Sequence, residues 1–196
     1  GSNCIGYLRT VDPARLAEVK GISAKKAAAI GEAYAELSEM RELMLFLESH
    51  GVSSGYATKL QATYGNTAIT RIKENPYSLA NDVTGIGFKT ADRVALNLGF
   101  DEMDSRRISS FIAYVCKDIC YRTQDTYTSK EEIYRYAKKI LPELSEEFFF
   151  ENFNNAIKDR DLIDEDGRIF PASLFDAENG IAKHLRSYLV DRIVTI

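Results

Sequence analysis

Three short segments of this 196-residue chain repeat one spacing of residue types. Gly21-Ile22-Ser23 is followed by Ala27 and Ile30, Gly51-Val52-Ser53 by Ala57 and Leu60, and Gly85-Ile86-Gly87 by Ala91 and Val94. The copies begin 30 and 34 residues apart. A Gly can end one helix at positive φ, where a Cβ would be costly. The small third residue can start the next helix, with Ser as a good N-cap. Ala and the apolar residue three positions on then share a face and let the helices approach. Backbone N–H groups left open at the second helix's start, with its dipole, suit an anion, phosphate above all. Lys25 and Lys26 add charge to the first copy, and Lys89 and Arg93 to the third. The candidate phosphate-binding set is therefore Gly21, Ser23, Lys25, Lys26, Gly85, Gly87, Lys89, Thr90 and Arg93. Gly51, Ser53 and Lys59 form a weaker set, because the second copy has no Lys or Arg before Lys59 and reads as mainly structural. A tight helical hairpin is also a packing device. Repetition with flanking basic residues favours contact with nucleic-acid backbone, which is independent of base sequence and sensitive to salt.

Other chemistry finds no constellation. Gly85 to Thr90 fails as an ATPase phosphate loop, since Phe88 stands where Gly must precede Lys. The same hairpin resembles that of helix-hairpin-helix DNA glycosylases, in some of which a Lys at the place of Lys89 is the nucleophile. The position 18 residues on, where those enzymes carry an Asp, is Arg107, with Asp101 and Asp104 off register, which argues against that chemistry. Cys4, Cys116 and Cys120 make no metal or redox motif, and His50 and His184 are too few for a zinc site. Glu131-Glu132 and Glu146-Glu147 read as helix-start carboxylates. Asp164-Glu165-Asp166 reads as a solvated turn, His50 as a helix C-cap, His184 as a surface or packing residue, and Phe148-Phe149-Phe150 as core. No catalytic residue and no metal ligand is assigned.

The elements that must hold these residues are mostly helices. The chain is 45% hydrophobic and 28% charged, enough to build a core and too apolar for disorder. Residues 1–3 read as an expression scar, and the missing Met suggests a piece of a longer protein. Residues 4–102 read as a tandem helix-hairpin-helix region, with Pro13 at a helix start and a break at Asn75-Pro76-Tyr77. Residues 103–196 read as a winged-helix-like region. Its helices are expected at Ser105 to Arg122, Lys130 to Leu141 and Ser145 to Arg160, the second with a capping box of Ser129 and Glu132. A β-hairpin turns at Asp166-Gly167, and Ala177 to Val190 is a last helix. The fold expected is thus mainly α, with tandem hairpins followed by a winged-helix-like unit. No segment is long and apolar enough to span a membrane, and the unpaired thiols suit the cytoplasm. The net charge of −4 is uneven: residues 1–100 carry 11 basic and 10 acidic residues, and residues 101–196 carry 14 and 19.

Asn75-Pro76-Tyr77-Ser78-Leu79-Ala80, then Gly85 to Ala95, then Leu98-Gly99-Phe100, resembles the N-terminal region of RecD-like (RecD/TraA-type) bacterial DNA helicases. Tyr64-Gly65, Arg107-Ile108, Thr126-Tyr127, Phe170-Pro171, Ala177-Glu178 and Ile181-Ala182 extend the resemblance over about Pro13 to Leu189. It implies an ATP-dependent 5′–3′ helicase acting in DNA repair and recombination, whose motor, with its ATP and Mg2+, follows the region matched. This stretch would then be a DNA-binding and scaffold region without ATPase activity, whose partners are single-stranded or forked DNA and the motor domains. The alternative is a protein-interaction scaffold in which the hairpins only pack and the acidic half docks to the motor or another partner.

Overall fold

The computed structural model describes residues 17–193, with side chains to residue 188. Nine helices and one β-hairpin order this stretch: α1 (Ala24–Ser49), α2 (Ala57–Tyr64), α3 (Ala68–Glu74), α4 (Ser78–Asp82), α5 (Phe88–Asn97), α6 (Ser105–Thr123), α7 (Lys130–Ile140), α8 (Glu146–Lys158), β1 (Leu162–Glu165), β2 (Arg168–Pro171) and α9 (Ala172–Ile193). Short 3-10 turns precede α2 and α3. Cys4 and Pro13 lie outside the described residues.

Local chemistry accounts for most of the boundaries. The Ser23, Ser53, Ser129 and Ser145 hydroxyls each accept from a backbone N–H two or three residues on, which caps a helix or turn start. His50 ends α1, its Nδ1 2.7 Å from the Phe46 carbonyl. Asp166 and Gly167 both have positive φ, +55° and +81°, the geometry of a two-residue turn that matches strand twist. The strands pair from Leu162–Pro171 to Glu165–Arg168, and Thr128 adds a bridge to Ile169 through two backbone bonds of 2.9 Å.

Several expectations need correction. Glu132 does not direct its carboxylate into a capping box; it accepts from the Thr128 hydroxyl at 2.8 Å, because the Thr128 bridge brings that hydroxyl within reach. The last helix starts at Ala172, directly after β2, instead of Ala177. Phe150 is on the surface, since Phe149 and Phe153, spaced for one helix face, take the interior.

Two apolar clusters hold the chain. Leu43, Leu47, Leu60, Ile72, Leu79, Ile86 and Val94 join α1 to α5. Ile108, Ile112, Ile119, Ile133, Phe149, Phe153 and Ile169 join α6, α7, α8 and the β-hairpin. Phe88 packs against both, its ring stacked on Tyr77 at 6.1 Å and Tyr114 at 5.2 Å.

Candidate nucleic-acid interface

The third hairpin is built tightly around two glycines that serve different ends. Gly85 takes φ +99°, and a Cβ there would sit 3.4 Å from the Tyr56 ring. Ile86 is buried as a plug between helices. Gly87 is extended (φ −104°, ψ 175°) and is the N-cap of α5, with no side chain to cap it. The Gly87 carbonyl accepts from Thr90 and Ala91 as the first turn closes. The donors at this end are thus covered by no capping side chain and open to an outside acceptor. Lys89 is exposed beside them, its Nζ 5.8 Å from the Tyr114 ring centroid.

The second hairpin braces the third. Tyr56 Oη donates to the Gly85 carbonyl and Lys59 Nζ to the Thr84 carbonyl, each at 2.9 Å. In return Arg93 Nη1 donates to the Gly51 carbonyl at 3.3 Å, and Asn97 donates to the His50 carbonyl at 3.3 Å. Gly51 has φ +74°, and a Cβ on it would come 3.0 Å from Arg93 Cδ. Lys59 and Arg93 therefore fasten one hairpin to the other. Of the third-hairpin set, Thr90 is half-buried and Gly85, Gly87 and Lys89 are exposed.

The segment from Gly21 to Lys26 repeats the backbone geometry of that hairpin turn elsewhere. Gly21 has φ +98°, Ser23 caps α1 by accepting from Lys26 N–H at 3.3 Å, and Lys25 and Lys26 are exposed. It sits at the opposite end of α1 from Gly51, about 39 Å along a helix of that length. The residues proposed from sequence therefore fall into two groups, one at Gly21–Lys26 and one at Gly85–Lys89.

The structure adds a part-buried polar knot that no sequence motif marks. Arg107 grips Asp92 with two bonds, Nε to Oδ1 at 2.8 Å and Nη2 to Oδ2 at 3.1 Å, and Tyr77 Oη donates to the same carboxylate at 3.0 Å. Burial, and then the Asp92 charge, push the Tyr77 hydroxyl well above the usual phenol range. The Asp92 hydrogen bond raises Arg107 above the ordinary guanidinium value. The knot fixes α5, which carries Lys89, against α6. The pairing joins residues 15 apart on separate helices, a relation no helical period signals.

Between the third hairpin, α6 and the chain around Asp161 and Pro171 lies a groove of about 780 Å³. Lys89, Tyr114, Lys117 and Tyr121 line it, as do Asp82 and Asp161. Among the described residues no group of three or more His, Cys, Asp or Glu side chains is placed to hold a metal ion. No described helix is long and apolar enough to cross a membrane.

Residues 36–127 match the family model for the ATP-dependent RecD2 DNA helicase HHH domain. The match runs from within α1 to just past α6, so it takes in the second and third hairpins, the Asp92–Arg107 knot and the Lys117–Tyr121 stretch. The RecD2 HHH match leaves out the first hairpin and the β-hairpin.

Proposed function

We propose that this chain is the DNA-binding and scaffold region of an ATP-dependent 5′–3′ DNA helicase acting in repair and recombination in the cytoplasm of a bacterium. Its first half serves as tandem helix-hairpin-helix units that hold DNA by the backbone, without reading sequence. The carrying observation is the α5 start: an extended Gly87 with no capping side chain, next to an exposed Lys89, inside the stretch similar to the RecD2 HHH domain. Phosphate oxygens accept from such backbone donors, and Lys89 adds a mobile point charge. ATP and Mg2+ belong, in this reading, to a motor domain outside these residues.

The second half supports the scaffold part of the proposal. We read the order α6, Thr128 bridge, α7, α8, β1, β2 as a winged-helix-like unit. Its third helix, α8, is the one such a unit would lay on DNA, yet it exposes Glu146, Glu147 and Glu151. Phosphates would be repelled there. Ile181, Leu185 and Tyr188 form an exposed apolar stripe on α9, which suits docking to the motor.

Fluorescence anisotropy with labelled forked DNA at low salt tests the reading. Binding should fall about tenfold for Lys89→Glu, since charge reversal beside a phosphate removes one contact and adds a repulsion. The loss should be similar whatever the DNA sequence. Unchanged binding by this variant would sink the hairpin–phosphate mechanism.

A further inference from the structure

The groove beside the third hairpin is lined unevenly. Tyr114, Lys117 and Tyr121 fall at i, i+3 and i+7 on α6 and all face it. Tyr114 is already stacked on Phe88, and Lys89 Nζ lies 5.8 Å from its ring centroid. About 10 Å further along α6 comes Tyr121. Tyr121 as a residue is 64% exposed, with Lys117 Nζ over its ring at 5.9 Å from the centroid. One part of the groove therefore offers two ammonium groups and an open aromatic face.

Elsewhere in the lining the character reverses. Asp82, Asp159 and Asp161 gather around Asn81, which donates to Asp161 Oδ1 at 2.7 Å and so joins α4 to the turn after α8. Burial, with the charges of Asp159 and Asp82 adding, holds the Asp161 carboxyl above its ordinary range. Asp118 is engaged by Arg122 at 2.9 Å, and Arg160 reaches Asp176 at 3.6 Å. The acidic lining thus comes from α4 and the turn after α8, Asp82 accepting from the Tyr64 hydroxyl at 2.7 Å, while the two lysines come from α5 and α6.

We propose that this groove is a track for single-stranded nucleic acid, with a base stacked on Tyr121 and the adjoining phosphates beside Lys117 and Lys89. The proposal rests on the DNA-binding reading above and gives it a strand preference. In a duplex the bases are already stacked and their faces cannot reach Tyr121. A duplex also presents phosphates on both sides, and the Asp82–Asp159–Asp161 stretch would repel the second strand. A single strand can place its phosphates along the lysines alone and turn its bases away from them. Base amino groups can then face carboxylates, which accept from them.

The test is anisotropy of the full chain with a labelled 12-nucleotide oligo-dT and a 12-base-pair duplex at low salt. Tyr121→Ala should weaken oligo-dT binding about tenfold, the usual scale for loss of one stacked base. It should leave duplex binding within about twofold, and Tyr121→Phe should restore the single-strand affinity. Tyr121 is an exposed side chain, and circular dichroism checks that each variant keeps its helices. Unchanged oligo-dT binding by Tyr121→Ala, or an equal loss on both DNAs, overturns the track and leaves the hairpin reading standing. Failure of the unaltered chain to bind either DNA overturns the DNA-binding reading and the track with it.

Discussion

Arg107 illustrates how one residue type changes meaning with its neighbours. In the sequence it marks the lack of a catalytic carboxylate at its position and one point of the family resemblance. In the fold it is the partner of Asp92, and both side chains are largely buried, at 13% and 15% exposure. Removing one member of such a pair leaves the other desolvated and unpaired, which costs more than the pair contributes. Arg107→Ala should therefore destabilise by about 2–3 kcal/mol in urea unfolding, given that Asp92 keeps its bond from Tyr77. The Asp92→Ala, Arg107→Ala double variant should lose less than the sum of the two single losses. Additive losses would mean that the bidentate contact carries no coupling. Lys59 and Arg93 make the same point about legibility. Their types suggested phosphate ligands, but their partners are carbonyls 25 and 42 residues away. Sequence spacing marks a basic side chain and is silent about a distant acceptor that reaches it first.

At the scale of elements, the sequence was most informative where a local rule demands a residue type. Asp166-Gly167 had to turn because both positions take positive φ, and Ser23, Ser129 and Ser145 had to start helices because their hydroxyls replace missing backbone acceptors. The start of α9 departs from the sequence expectation for the converse reason. Ala172 follows β2 directly, where no spacer or capping signal announces a helix. The glycine pair of the third hairpin gives a test of this local logic. Gly85 and Gly87 take different places in the repeat, and only Gly85 has positive φ and a neighbour, the Tyr56 ring, within 4 Å of an added Cβ. Gly85→Ala should thus cost about 1–2 kcal/mol, the scale of a left-handed residue bearing a Cβ. Gly87→Ala should cost less, about 0.5 kcal/mol, the N-cap preference for Gly over Ala at a position with open space around it. Thermal unfolding of the two variants side by side reads the difference. Equal losses would show that the repeat's two glycines are held for one and the same reason.

At the scale of the whole molecule, the mean charge of −4 conceals where basic residues can act together. The exposed lysines at hairpin starts are Lys25 and Lys26 at one end of α1, and Lys89 on α5, whose Arg93 and Asn97 donate to the Gly51 and His50 carbonyls at the other end. A duplex advances 3.4 Å per base pair, so the roughly 39 Å length of α1 corresponds to about 11 base pairs. A duplex much shorter than this can touch one hairpin group at a time. On an 8-base-pair duplex, then, Lys25→Glu with Lys26→Glu should weaken binding only in part, since Lys89 offers an independent site. On a duplex of about 20 base pairs, the same substitutions should cost more, because they remove one end of a two-point attachment. The salt dependence should change in step. Three lysine–phosphate contacts give a slope of log K against log salt near −2.7, and the double lysine variant should retain about −0.9. Anisotropy titrations at several salt concentrations on both duplexes measure slope and length dependence together. If slope and affinity are the same on the two lengths, the two hairpin groups do not act on one DNA, and the first hairpin serves the packing of α1 alone.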